Sequence, residues 1–398
     1  MNFLFAPAGF RAICSVALCC FSLSWGMCVS AGERHVLISA KENVHVGDHQ
    51  IKGDGWTVTM KRLHGGKQQG VDLITVDAGS VQFDVIPTRG MSVYQVRSGE
   101  MVFGWDSPVE PIVNPAFIDL ESRGGLGWLE GFNEWMVRCG LEFAGHPGTD
   151  TQEVDGEEKS MDLTLHGKIG NIPAREVEVT YDEKGQGRLR IRGVVYEKFF
   201  YGPKLKLVTE ISIIPGESTY RIDDTVTNES SLPQEFQIIY HANYGAPLLS
   251  KGAKMHAAIK SIEGMNDHAT DHMKDHATYL GPTSGFAEQV YLIEPKADAE
   301  GKTIAVLESA DGQQAASITW NVNQLPHLTQ WKNTAAVEDG YVTGIEPATG
   351  YPFNRMVERE EGRVPVLEPG QTRRFTLDFG FHKNQQSVQS VISKVNAL

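Results

Sequence analysis

One pattern governs most of this chain: apolar side chains at every second position, in short runs broken by Gly, Pro or Asn. Val81, Phe83 and Val85 alternate with polar neighbours. Val177, Val179 and Tyr181 do the same, and Leu189 and Ile191 follow the Lys184-Gly185-Gln186-Gly187 turn. Leu205, Leu207, Ile211 and Ile213 continue it, then Tyr220, Ile222, Asp224 and Val226. Successive side chains of a strand point to opposite faces, so this period marks half-buried antiparallel strands. The 41 Gly and 18 Pro supply turns along the whole length. Helical spacing is scarce, and its best examples are Gly131 to Arg138 and Asp267 to His276. The expected class is all-β, with two large packed sheets. No internal repeat supports a propeller.

The first residues read as a targeting segment. Arg11 precedes the apolar or small run Ala12 to Val29, and Val29-Ser30-Ala31 offers a small-residue exit. Residues 1–31 are therefore expected to be a secretory signal peptide, with 32–398 as a single domain. An uncleaved membrane anchor is the alternative, because 18 residues approach a spanning length. The expected location is secreted or periplasmic. Four of the five cysteines (Cys14, Cys19, Cys20, Cys28) fall in this segment. Cys139 alone remains, so no internal disulfide holds the fold. The net charge of −14, with no basic run, argues against nucleic acid as partner. No other stretch is apolar enough to cross a bilayer.

Five groups of residues carry possible chemistry. His241 ends an apolar run and is followed by Asn243 and Tyr244. It reads as a catalytic group at a strand end, or as a structural histidine bonded to a loop carbonyl. Glu346 precedes Pro347 after an apolar run. It reads as a general base at a rigid turn, or as a solvent-facing turn carboxylate. His166 sits where a strand meets a loop rich in Gly, Asn and Pro. The stretch Ile86 to Gly148 gathers Arg89, Trp128 and Glu142 among glycines, and such side chains can stack on and bond to a sugar ring. The run Asp267-His268, Asp271-His272, Asp275-His276 would place three histidines on one helix face. Three such side chains span too far for one tetrahedral ion, so an exposed acidic segment is expected and no metal site. No GxSxG motif is present, and Cys139 reads as buried packing.

Taken in order, several motifs resemble one family. PTRGM (87–91), GGLGWLEGF (124–132), RCGLE (138–142), LHGKIGNIPA (165–174), HANYG (241–245), QWKN (330–333) and GIEPATGYPFNR (344–355) are similar to the DUF4432 group of the galactose-mutarotase-like (aldose 1-epimerase-like) superfamily. The resemblance implies a β-supersandwich and an anomer-interconverting isomerase acting on a small sugar or glycoside, without cofactor. It assigns Glu346 as base, His241 as acid and His166 as the histidine that orients the sugar. Arg89, Asn171, Glu142, Trp128, Asn243, Trp331 and Arg355 are the expected sugar contacts. The chain departs from the family's H-x-Y-F-N at His241-Ala242-Asn243-Tyr244, and an N-R-I motif is not evident. Two other functions fit such a fold: a non-catalytic carbohydrate binder, or a polysaccharide or glycoside lyase with Tyr244 or His241 as base.

Overall fold

The alternating runs become strands because each can bury one face and leave the other wet. In Lys204–Ile213 and Thr219–Asn228, every second side chain is buried over most of the strand. Their antiparallel register sets Leu207 against Val226 and Ile211 against Ile222, so the apolar face is continuous across the pair. A computed structural model describes residues 34–398 except Asp155 and Lys184. The expected signal peptide lies outside the described residues.

Two antiparallel sheets dominate, one of ten strands and one of twelve. The core lies between them. Tyr220 and Phe379 of the first sheet stack on each other at 5.3 Å, and Phe83 of the second meets Tyr220 at 5.0 Å. The middle of the twelve-stranded sheet runs, in spatial order, through Gln289–Pro295, His327–Asn333, Val342–Ala348, Gln237–Tyr244 and Met136–Leu141. The last three are buried at every position. One face rests on the core, through Tyr240, Ala242 and Ile345. The other is roofed by the segments that carry Trp128, Phe132 and Leu165, which pack on Ile239 and Ala348.

Both expected helices differ from the structure. Gly127–Gly131 is a 3₁₀ turn, and Met136–Leu141 is a fully buried strand paired with Gln237–Tyr244. Apolar residues at 136, 137, 139 and 141 serve two buried faces there, which imitates helical spacing. In the histidine run, the helix Asp267–Asp271 is capped by Asn266 and stops, and a 3₁₀ turn Met273–Asp275 follows. His272 Nδ1 meets the His268 carbonyl at 2.8 Å, and His276 turns toward Gln330. The three histidines therefore share no helix face. Among the described residues, no group of His, Cys, Asp or Glu is placed to hold a metal, and no helix is long and apolar enough to cross a membrane. Cys139 is free and buried.

Candidate active site

The register of three strands builds the centre of the site. Thr329 pairs with Glu346, and Ala242 pairs with Ile345. His241 therefore stands beside Glu346 on the face turned away from the core. Both lie within strands rather than at a strand end or turn. Gly344 and Pro347 look like turn signals, yet Gly344 is a strand residue with a steric task. A Cβ there would come 2.3 Å from Glu346 Oε1 and 3.3 Å from His241 Cε1. His241 Nε2 lies 3.3 Å from Glu346 Oε1.

Aromatic rings wall the pair. Phe132, Trp331 and His166 stand 5.4, 5.7 and 5.3 Å from the His241 ring. Trp128 packs edge-on against His166 at 4.6 Å. His166 holds a left-handed backbone, φ 59°, which a β-carbon disfavours. Such strain persists only where the surroundings fix it. Here the His166 N–H donates to the Gly145 carbonyl, and its own carbonyl accepts from the Gly140 N–H. The ring Nδ1 bonds the Ala144 carbonyl at 2.9 Å, so Nδ1 carries the proton and Nε2 is an acceptor. Together these groups enclose a cavity of about 480 Å³, lined also by His146, Glu288, Val290 and Thr329, with Leu126, Leu129, Pro147 and Pro352 among the rest.

Burial sets the charge of the centre. It raises the Glu346 carboxyl to about 8, helped by the negative field of Glu288. It pushes His241 well below the usual histidine range, and His166 adds to this. His166 itself falls to about 4 for the same reason. At neutral pH the pair therefore holds one proton, on Glu346, beside a neutral imidazole. A neighbouring carboxylate ordinarily favours a charged histidine, but desolvation outweighs that attraction at so dry a position. Among the residues that line the cavity, four polar atoms are buried without a hydrogen-bond partner: His241 Nδ1, Glu346 Oε1, Thr329 Oγ1 and Trp128 Nε1. Unpaired buried groups beside aromatic faces match a ligand that is apolar on its ring faces and hydroxylated at its edge.

The structure brings His241, Glu346, His166, Trp128 and Trp331 together around this cavity. Five expected contacts stand outside its lining. Arg89 is fully buried; its Nε donates to Glu134 at 2.5 Å and its Nη1 to Asn171 at 2.9 Å. Asn171 is thereby tied to Arg89 rather than offered to the cavity. Asn243 donates to the carbonyls of Glu134 and His241. Arg355 bonds Asp150 at 2.6 Å and the Glu142 carbonyl at 3.1 Å, and Glu142 is buried beside it. These residues hold the segments that roof the site. Phe132, Thr329, His146 and Glu288 are lining residues absent from the sequence expectations. Thr329 was readable, because it lies two positions before Trp331 on one strand and so shares its face.

The described geometry has counterparts. The model of DUF4432, a domain of unknown function, matches residues 68–381. The chain belongs to the DUF4432 family. A candidate aldose 1-epimerase from Klebsiella pneumoniae subsp. pneumoniae MGH 78578 is 42% identical, with a TM-score of 0.86, over 92% of this chain and 95% of that one. A galactose mutarotase-like protein from Clostridium acetobutylicum is 15% identical, with a TM-score of 0.59, over 83% of this chain and all (100%) of that one. A candidate aldose 1-epimerase from Escherichia coli K12 is 13% identical, with a TM-score of 0.51, over 79% and 100%. At such identities the last two show the fold alone. No curated protein matches the chain. The DUF4432 chain thus has the galactose-mutarotase-like sandwich fold that the motif resemblance implies, and it is all-β with two packed sheets as the alternation implies.

Proposed function

We propose that this protein is an aldose 1-epimerase-type isomerase that interconverts the anomers of a small sugar. The observation that carries this is the His241–Glu346 pair: two proton-transfer groups 3.3 Å apart in a cavity walled by aromatic rings. Ring opening needs one group to take the proton from the anomeric hydroxyl and another to give one to the ring oxygen as its bond to C1 breaks. Rotation about C1–C2 then presents the other carbonyl face, and the same transfers in reverse close the ring. The family resemblance makes Glu346 the base and His241 the acid. Burial places the resting proton the other way round. The two descriptions have the same total protonation and differ by one proton shift across the pair. Trp128, Phe132 and Trp331 would stack on the ring, and His166 Nε2 would accept from a hydroxyl. No metal or nucleotide enters the scheme.

Polarimetry on freshly dissolved α-glucose and α-galactose tests this directly. The protein should speed mutarotation, and His241→Ala should slow the enzymatic component by about 10²–10⁴-fold. An acceleration that survives His241→Ala would sink the assignment. The pH profile has a stated shape. Activity should fall above pH about 8, where Glu346 loses the shared proton. It should fall again in acid, well below the usual histidine pKa, where His241 gains a second one. A rate flat through pH 9 contradicts the scheme. Gly344→Ala should push the Glu346 carboxyl aside and lower kcat/KM by about tenfold or more, since misplacements near 1 Å cost about 10²-fold. Equal kcat/KM in that variant would show that the carboxyl position is unimportant. From the Ala12–Val29 segment we further propose that this activity lies outside the cytoplasm; recovery of the protein in the cytoplasmic fraction of cells would contradict that.

A further inference from the structure

Glu288 stands at the cavity mouth, and nothing in the proton-transfer scheme uses it. It lies just before the strand Gln289–Pro295, two positions from Val290, and Val290 is the cross-strand partner of Trp331. That placement lets its carboxylate reach back to the sugar-facing side of the sheet. Trp331 Nε1 donates to Glu288 Oε2 at 2.7 Å. Trp331 is only half-buried and is one of the rings packed around His241, so this bond sets the pitch of a stacking surface.

Charge gives Glu288 a second effect. Among the residues lining the cavity there is no Lys and no Arg. The arginines nearest in the motifs are committed elsewhere: Arg89 to Glu134 and Asn171, and Arg355 to Asp150. The histidines at the centre are held neutral by burial. Besides Glu346, Glu288 is therefore the one carboxylate among the residues that line the cavity. Its field reaches the centre, where it adds to the upward shift of Glu346. A phosphate or carboxylate on an incoming sugar would meet that field with no counter-charge.

We propose that Glu288 is the specificity-determining residue of this cavity, bracing the Trp331 indole and turning away anionic sugars, so that the substrate class is the uncharged pyranose. The proposal rests on the sugar reading of the site but not on turnover. Glu288→Gln separates its two effects, because the amide oxygen still accepts the Trp331 N–H while the charge is gone. Glu288→Ala removes both.

Binding is the readout, by calorimetry with glucose against glucuronate and galactose against galacturonate. The wild type should favour the neutral member of each pair, and high salt should narrow that preference. In Glu288→Gln the affinity ratio of acid to neutral sugar should rise about tenfold, consistent with the loss of one close charge. In Glu288→Ala the neutral sugar should also bind several-fold more weakly, through the freed indole. An unchanged ratio in Glu288→Gln overturns the proposal, and so does the absence of binding for all four sugars. Failure of the isomerase reading looks different: binding and charge preference persist while mutarotation is not accelerated.

Discussion

Glu346→Gln is expected to abolish the enzymatic mutarotation and, at the same time, to make the protein more stable at neutral pH. The first effect follows from removing the group that must exchange a proton with the sugar, a loss of about 10²–10⁴-fold. The second follows from where the carboxyl sits. Glu346 is 2% exposed, and burial moves it from an ordinary value of 4.5 to about 8. Below pH 4.5 both folded and unfolded chains carry its proton, and burial adds no pH-dependent cost. Between 4.5 and about 8 the unfolded chain releases the proton while the folded chain keeps it, so stability falls as pH rises. Above about 8 that loss is complete. At pH 7 the cost is on the order of 3 kcal/mol. Glutamine has nearly the same shape and carries no titrating proton. The variant should therefore melt several degrees higher at pH 7 than the wild type, with the gap closing toward pH 4.5. Its residual rate should also lack the alkaline limb. Melting curves from pH 4.5 to 8.5, with polarimetry on the same samples, measure both. A gap that does not change with pH, or full activity in the variant, would show that Glu346 is a structural carboxylate.

That opposition of stability and activity explains why the site was only half legible in the sequence. Alternation made the strands around Val81–Val85, Leu205–Ile213 and Tyr220–Val226 readable, because each has one wet face. His241 and Glu346 sit on strands buried on both faces, where the period disappears and where Gly344 and Pro347 look like loop. Their chemistry was named by motif order, and their true setting, mid-strand and side by side, is a matter of register between segments a hundred residues apart. Arg89, Asn171, Asn243 and Arg355 show the converse. Polar residues in sugar-binding-like motifs read as contacts, yet each answers a buried partner inside the roof of the site. The missed C-terminal helix Gln385–Asn396 is a plainer case. Val388, Val391, Ile392 and Val395 follow helical spacing and pack on Ile304 and Val306. Its Asn384 cap was also present in the sequence, but the signal was short beside so many strands.

The second large effect lies in the core rather than the site. Breaking the Arg138–Asp224 pair is expected to lower stability more than any surface change. Arg138 comes from the strand next to His241, in the twelve-stranded sheet, and Asp224 from the ten-stranded sheet opposite. Both are fully buried, so the pair bridges the sheets through the interior. The guanidinium is saturated further by Thr209 Oγ1 at 2.7 Å and the Met91 carbonyl at 3.1 Å, and Tyr240 Oη donates to Asp224 at 2.8 Å. Asp224→Asn keeps the shape but leaves a buried cation without its counter-charge, which costs roughly 3–5 kcal/mol. The melting temperature should drop by about 10 °C. Replacing both partners with apolar residues of similar volume, Arg138→Met with Asp224→Leu, should recover most of that loss, because neither charge is then stranded. If Asp224→Asn melts with the wild type, the bridge is not holding the sheets. If the double variant is as unstable as the single one, the cost comes from Tyr240 and Thr209 losing their partners instead. Because Tyr240 and His241 are consecutive on one strand, the single variant also reports on the site. At temperatures where it remains folded, its kcat/KM should stay within about threefold of wild type, since the strand is still clamped by pairing on both sides.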